Sequence, residues 1–399
     1  MRTTLLAFTL AAVIPGGCGS SGSPGIPGTP DAPAVPDAPA VPDAPVVIDA
    51  PAPADALGGD ASGAAAEHAY VATFLGGLHT LDVGPNQGDL SEPANSVITG
   101  SFESLAVDPS HTFLYAVDFN HAKLFSYRIG AGGSLVPLTA APIDTAPHPL
   151  TIATDPLGRF VYVGVDGGIA VYRIDAASGV LTAVNHPPFD AGGAVSFIAA
   201  EPSGHFVYAS LGFPAPIAAL RVDAQSGALA KIDGSPFMLP EPGFSGAIAF
   251  DVPGRHLYYG PHKLYGFTID ADTGGLSMID GAPFPGAVGA DAQAMAIAVD
   301  PLGRYVYTVS NAGTTVEAYH VAADTGALTR VDHSPFAAGA MPYSVAVDPD
   351  GRFVYVGNDD ANQVTVLSIE ASGELKITDH GPFTVNGLEP EMIIVKAQQ

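Results

Sequence analysis

Tryptophan is absent from these 399 residues, cysteine occurs once, and there are 14 basic residues against 40 acidic ones. Each shortage removes a class of protein. Repeats built on a Trp-Asp pair or a Trp-bearing Asp box place an indole in every unit, so both are disfavoured. With a single Cys no intrachain disulfide can form, and stability must come from packing and strand pairing. A formal net charge of -26 repels polyanions, so no nucleic-acid partner is expected, because that affinity is drawn from Lys and Arg contacts to phosphate. Compact metal spacings are missing too: there is no HExxH and no EF-hand loop. GFSG at Gly243 lacks the G-x-S-x-G order of a nucleophile elbow.

What is present begins with an address. Arg2 precedes an apolar run from Leu5 to Ile14, and small residues Gly16 and Gly17 lead to Cys18. The run is too short to span a bilayer as a mature helix. Residues 1–18 therefore read as a signal peptide, and the lone Cys after its core resembles the lipobox of bacterial lipoproteins, with Pro15 where a Leu is usual. The expectation is an extracytoplasmic protein held to a membrane by a lipid on Cys18, or secreted if the lipid is not added. Ser20 would direct such a lipoprotein to the outer membrane in bacteria that have one.

Residues 19–66 are Gly/Ser-rich and then Pro/Ala/Asp-rich, with Asp31, Asp37, Asp43, Asp49 and Asp55 repeating every six positions. Proline removes backbone donors and favours polyproline II, so this segment reads as a disordered, solvated spacer. Thirty such residues at ~3.1 Å each reach on the order of 90 Å, enough to hold a domain off a surface.

From Glu67 to residue 399 the chain repeats. DPSHTFLY at 108, DPLGRFVY at 155, EPSGHFVY at 201, DVPGRHLY at 251, DPLGRYVY at 300 and DPDGRFVY at 348 recur at blade-like spacing. An acid followed by Pro, with Gly at the fourth place, is a type I turn joining two strands. Before it stands a short apolar strand with Ala106, Ala153, Ala199, Ala249, Ala298 or Ala346 in one register; after it comes an alternating strand with Tyr115, Tyr162, Tyr208, Tyr258, Tyr307 or Tyr355. A third strand leads to a Gly turn and a Leu that opens a fourth. The arginines Arg159, Arg255, Arg304 and Arg352 recur beside the turn acids and read as structural ion-pair partners.

The turn-plus-Leu element occurs seven times, at Leu90, Leu135, Leu181, Leu229, Leu276, Leu328 and Leu375, whereas the acid-Pro turn occurs six times. One split blade reconciles the two. Tyr70 to Leu90 supplies its second, third and fourth strands, and PEMIIVK near the C-terminus supplies the innermost one. The fold expected is all-β: a seven-bladed β-propeller of four-stranded blades, its ring closed by a blade shared between the two ends of the domain.

These DPxGRFVYV segments, the SG-x-L turns and the SPF or GPF before inner strands (Ser235 to Phe237, Ser334 to Phe336, Gly381 to Phe383) resemble the lactonase-type seven-bladed propeller family. That family includes bacterial 6-phosphogluconolactonases and fungal carboxymuconate cyclases, and overlaps the YVTN surface-layer repeats. YVAT at Tyr70 and YVGN at Tyr355 are the nearest tetrapeptides. The resemblance covers about residues 67 to 397 and implies fold more strongly than activity, since its motifs are turns and strands.

Ligands of propellers bind at the face where inner strands begin and second strands end. Residues expected there are Glu103, His148, Asp291, Gln293, Glu389 and Glu391 before or in inner strands, and Asp118, Asn120, His121, Asp166, His262, Asn311, Asn358, Asp359 and Asp360 after second ones. Glu103, His148 and Glu391 form the constellation expected to be catalytic, with Glu391, Glu103 and Leu150 placed at equivalent positions of three blades. His148 or a carboxylate would activate water to open a lactone. The resemblance implies a His with Arg and Glu on this face, and APHPLTIATDP around His148 is the matching segment, but no Arg falls in these loops. No cofactor is expected; Ca²⁺ on Asp118, Asp359, Asp360, Glu103 or Glu391 is the metal alternative. Two functions follow. The first is a monomeric, lipid-anchored envelope module presenting this face to a protein or glycan. The second is a hydrolase or isomerase of a small cyclic ester.

Overall fold

The computed structural model describes residues 66–261, 263–285, 296–310 and 313–396. Cys18, the signal-peptide and spacer assignments, and the loop residues Asp291, Gln293, His262 and Asn311 fall outside them. The described chain is all strand and turn apart from one 3-10 turn at Ala131–Gly133. The strands form seven antiparallel sheets.

Blade 1 runs Ser104–Val107, Phe113–Asp118, Lys123–Ile129 and Leu135–Pro137. Blades 2 to 6 begin at Thr151–Thr154, Val195–Ala200, Ile248–Phe250, Ala296–Val299 and Pro342–Val347. Blade 7 is the stitched one: Leu388–Lys396 pairs with Glu67–Phe74, followed by Gly77–Val83 and Leu90–Ser91. All seven leucines of the fourth-strand motif open the fourth strands, as their spacing predicted. First strands of neighbouring blades lie against one another round the whole ring, blade 7 touching both blade 6 and blade 1.

The burial pattern follows from this geometry. Second strands such as Phe160–Val165 are buried throughout, whereas the first strands of blades 4 and 5 are half-buried along their length, as walls of a central channel are. Apolar side chains gather in seven clusters, and each cluster joins two adjacent blades. The core is thus a ring of interfaces, because each sheet carries an apolar face on both sides and can cover them only with its neighbours.

Each repeat alanine pairs directly with the repeat tyrosine across the first two strands, from Ala106 with Tyr115 to Ala346 with Tyr355. In blade 7 Ile393 stands opposite Tyr70. All seven tyrosine side chains are fully buried. A phenol so buried needs a hydrogen-bond partner. Four find it in the third-to-fourth turn of the next blade: the hydroxyls of Tyr70, Tyr115, Tyr208 and Tyr258 donate to the carbonyls of Gly133, Gly179, Gly274 and Gly326 at 2.8 to 3.0 Å. Tyr162, Tyr307 and Tyr355 have no such bond. In those three blades an arginine makes the link instead. Arg159 and Arg304 each grip their turn acids, Asp155 and Asp300, and donate onward to the carbonyls of Gly204 and Gly351 in the next blade. Arg352 does the same from Asp348 to Pro85 and Glu67 in blade 7.

Arg255 departs from the expected pairing. His256 Nδ1 takes Asp251 at 2.7 Å, and Arg255 instead donates to the Ala323 carbonyl. The imidazole sits inside the turn where other blades carry Phe or Tyr, so it reaches the acid first.

The SPF element has a defined place. Phe237, Phe284 and Phe336 bridge back to the start of the third strand of their own blade, and Phe189 and Phe383 do so in theirs. This leads the chain across the blade top towards the next inner strand.

Two stability tests follow. A Cβ on Gly179, whose φ is +75°, would lie 2.3 Å from the Phe113 ring of the preceding blade. Gly179→Ala is therefore expected to cost about 2–4 kcal/mol in denaturant unfolding, and a loss under about 0.5 kcal/mol would contradict the packing described. Ending the chain after Pro390 strips Glu67–Phe74 of its partner and reopens the ring. Thermal unfolding should shift down by about 10 °C or more, or the domain should aggregate through the bared edge; an unchanged melting temperature would disprove closure by the C-terminal strand.

Candidate functional site

A β-bulge shapes the start of several inner strands. Glu103 N donates to the Val117 carbonyl at 3.0 Å while Ser104 already faces Val117 across the ladder. Leu150 and Thr151 oppose Gly164 in the same way, and the pairing in blade 6 shifts between Pro342 and Ser344, leaving Tyr343 as the extra residue. A bulge breaks the alternation of side chains and re-aims the additional one. Glu103, Leu150 and Tyr343 occupy this equivalent position.

The expected equivalence of Glu391 and Glu103 is corrected by the register. Ile393 faces Tyr70 as Ala106 faces Tyr115, so Glu391 matches Ser104 and Thr151, and Pro390 matches Glu103. The register of this strand is unbroken from Glu391 to Lys396, and its irregularity lies before Glu391, between Ala72 and Phe74.

Glu103 and Glu391 nevertheless meet, one from blade 1 and one from blade 7. Ser104 Oγ donates to Glu391 Oε1 at 3.0 Å. Both residues stand where inner strands begin and are half-buried. Burial pushes the Glu391 carboxyl up to about 8, with Glu103 adding to the rise and the Ser104 hydroxyl opposing it. Burial, and then the Glu389 carboxylate, raise Glu103 to about 7. Glu389 is itself raised, by burial and by Asp359. Its backbone N–H donates to Asp359 Oδ1 at 2.8 Å, and its φ of 53° is left-handed.

Tyr343 was not singled out from sequence, yet the charges of all these acids act on it. Its phenol is held well above the usual range by burial and then by Glu389, Glu103, Glu391 and Asp359. The available signal was its place three residues before the repeat Ala346, the place Glu103 holds before Ala106.

His148 lies in the loop leading into blade 2. Its Nδ1 is bonded to Asp166 Oδ2 at 2.5 Å, and its ring stacks on Phe119 with centroids 4.9 Å apart. Both members of the pair are about half exposed, and His148 holds a left-handed φ of 54°. Non-glycine residues in this region cost of order 1 kcal/mol and concentrate at functional positions. No hydrogen bond joins His148 to Glu103 or Glu391, so the predicted trio is an adjacent carboxyl pair plus a separate His–Asp pair.

The remaining loop candidates are accounted for locally. Asp118 accepts from the backbone and ring of His121, and Asn120 donates to Ser101. Asn358 is buried and donates to Thr365. The mouth carboxyls named as a Ca²⁺ alternative do not gather at metal-ligand reach. Among the described residues the group that does is Glu67, Asp348 and Asp350, on the opposite face, where Arg352 and Lys396 already hold it. A cleft of 220 Å³ also lies on that far face, lined by Asn86, Gln87, Phe353 and Lys376. It gathers no matching set of groups.

The raised carboxyls make stability depend on pH. Glu391 and Glu103 bind protons more tightly in the folded domain than at their ordinary 4.5, so their contribution is complete below pH 4.5 and is lost as pH rises through about 7 and 8. Denaturant unfolding of wild type between about pH 5 and about pH 9 should lose on the order of 2–4 kcal/mol more than Glu391→Gln does. Equal pH slopes in the two proteins would show that Glu391 is not a buried neutral acid.

Solved structures share this architecture. The periplasmic gluconolactonase of Pseudomonas aeruginosa superposes with a TM-score of 0.68 at 21% identity, over 84% of this chain and 100% of that one. A Lactobacillus plantarum protein gives 0.68 at 18%, over 83% and 100%. A Bacteroides fragilis protein described as a candidate 6-phosphogluconolactonase gives 0.67 at 16%, over 83% and 98%. At such identities these likenesses speak for the fold. No curated protein matches the chain. The family description "Lactonase, 7-bladed beta-propeller" matches residues 68–387, and together with seven four-stranded blades closed by a shared one, this places the chain in the lactonase family of seven-bladed β-propellers.

Proposed function

We propose that this domain hydrolyses a lactone ring at the channel mouth, outside the cytoplasm. One observation carries the reading: a single face carries both carboxyls able to hold a proton near neutral pH and a histidine oriented by a carboxylate. Lactone hydrolysis needs both, a base to take a proton from water and an acid to give one to the leaving oxygen.

The chemistry balances on these residues. Asp166 holds His148 through Nδ1, which leaves Nε2 to accept a proton as the water oxygen attacks the ester carbonyl carbon. The bond from that carbon to the ring oxygen then breaks. Glu391, or Glu103 beside it, gives its proton to the departing alkoxide, and Ser104 keeps Glu391 in place. The product is a hydroxy acid, whose carboxylate is repelled by the same wall, favouring release. Family membership and the likeness to a gluconolactonase support the substrate class. The apolar run before Cys18, and the periplasmic setting of that same relative, support export with Cys18 as a lipid anchor.

A second reading is a binding module of the cell envelope. It is favoured by an exposed apolar group on the same face: Phe213 and Phe244, with ring centroids 6.0 Å apart, and Met238 in the same loop as Phe244. Under this reading a purified cell-wall polymer should co-sediment with the domain and not with a Phe213→Ala/Phe244→Ala variant.

Hydrolysis is tested with a panel of γ- and δ-lactones followed by acid release. His148→Ala and Glu391→Gln should each lower kcat by about 100-fold or more. Wild-type turnover should also fall above about pH 8 as Glu391 loses its proton. Full activity in both variants would remove these residues from the mechanism, and no turnover across the panel would leave the binding module as the better account.

A further inference from the structure

We infer that this mouth accepts an uncharged lactone and turns away phosphorylated or carboxylated ones, with Glu389 and Tyr343 as the discriminating side chains. The inference deepens the lactone reading and rests on it for the substrate's ring chemistry.

An anionic substrate needs a cation or a set of converging donors at its charged end. Among the described residues no lysine or arginine acts on Glu103, Glu389 or Glu391. Of the lysines that reach this face, Lys123 is bonded to Asp144 and Lys263 to Glu241, both where outer strands begin, and Lys231 reaches Gly192 in the loop before blade 3, with blade 2 standing between it and Glu103 of blade 1. The arginines are committed elsewhere. Arg159, Arg304 and Arg352 grip turn acids on the opposite face, and Arg330 lies beside Glu317 in the outer strands of blade 5. Arg128, Arg173, Arg221 and Arg255 donate to carbonyls of the following blades. The internal stretches 286–295 and 311–312 contain no Lys or Arg at all.

What converges here is acidic. Glu389 comes from the start of blade 7's first strand, its backbone tied to Asp359 of blade 6, and its charge acts on Glu103. Even with Glu391 and Glu103 carrying protons, a phosphate dianion would face the carboxylates of Glu389 and Asp359 in a channel poorly screened by solvent. A neutral polyol ring meets the opposite situation. Carboxylates accept from its hydroxyls, protonated carboxyls both give and accept, and the Tyr343 phenol, kept un-ionised by burial and then by the acids around it, adds one donor. Glu389 is the discriminating residue because its backbone is anchored by the Asp359 bond and its charge acts on Glu103. Tyr343 discriminates by favouring the neutral ligand without adding charge.

Binding separates this inference from hydrolysis. Calorimetric titration of the full domain with δ-gluconolactam, a ring that cannot be hydrolysed as an ester, is compared with its 6-phosphorylated counterpart. The neutral lactam should bind, and the phosphorylated one should bind at least about tenfold more weakly at low salt, with the gap shrinking as salt is raised. Glu389→Gln should narrow the gap several-fold, while Tyr343→Phe should weaken the neutral lactam and leave the gap nearly unchanged. Equal or tighter binding of the phosphorylated ring, or no binding of either, overturns the inference. Lactone turnover measured on the same samples reports on hydrolysis alone: selective binding without turnover would overturn the enzyme and keep the selectivity.

Discussion

The joint between neighbouring blades is the contact on which the rest of this structure depends. In each, a glycine of the third-to-fourth turn lies so close to an aromatic or histidine ring of the preceding blade that a Cβ would overlap it, from Gly179 on Phe113 to Gly373 on Tyr305. A polar bond then locks the pair. Four joints use a buried tyrosine hydroxyl donating to the turn glycine, and three use an arginine bridging from its own turn acid to the next blade. A turn-acid arginine bridge and a tyrosine-to-glycine bond never serve the same joint, although Arg128, Arg221 and Arg255 add a carbonyl bond to joints that the tyrosine locks. Each sheet is thereby held at a set angle to the next, and seven such angles bring the two ends of the chain into one sheet.

That closure is also what creates the site. Glu391 belongs to the last strand and Glu103 to the first complete blade, 288 positions earlier, and they share a wall only because blade 7 fills the gap between blades 6 and 1. A bulge at the start of the inner strands then aims Glu103 and Tyr343, which a regular ladder would alternate differently. Carboxyls placed in such a confined wall cannot all ionise, and their raised proton affinity follows from lost hydration and mutual repulsion. Stability and chemistry are thus coupled: the residues suited to proton transfer are the ones that make the fold lose stability as pH rises.

The repeat signals carried the architecture well because they record local constraints. Acid-Pro turns, Gly-Leu turns and alternating tyrosine strands each need only a few consecutive residues, so seven leucines and a split seventh blade could be counted along the chain. The candidate site was legible in part. Glu103, Glu391 and His148 could be placed on one face from strand order, but the adjacency of Glu391 to Ser104, the pairing of His148 with Asp166 and the central place of Tyr343 could not. PEMIIVK lacks the acid-Pro turn and the repeat Ala that set the register elsewhere, so only its pairing with Tyr70 shows that Glu391 matches Ser104 and not Glu103. Arg255 was likewise misjudged, because a histidine inside the turn competes for the acid at shorter reach.

The amino-acid sequence by itself determined that this protein would be a ring of seven sheets, since each repeat encodes one sheet that cannot bury both its faces alone. It also determined the acidic character, which is a matter of composition. Only the tertiary structure decided which acids face one another and which stay solvated. Proton affinity depends on the dielectric and the charges within a few ångströms, and those distances exist only once the ring has closed.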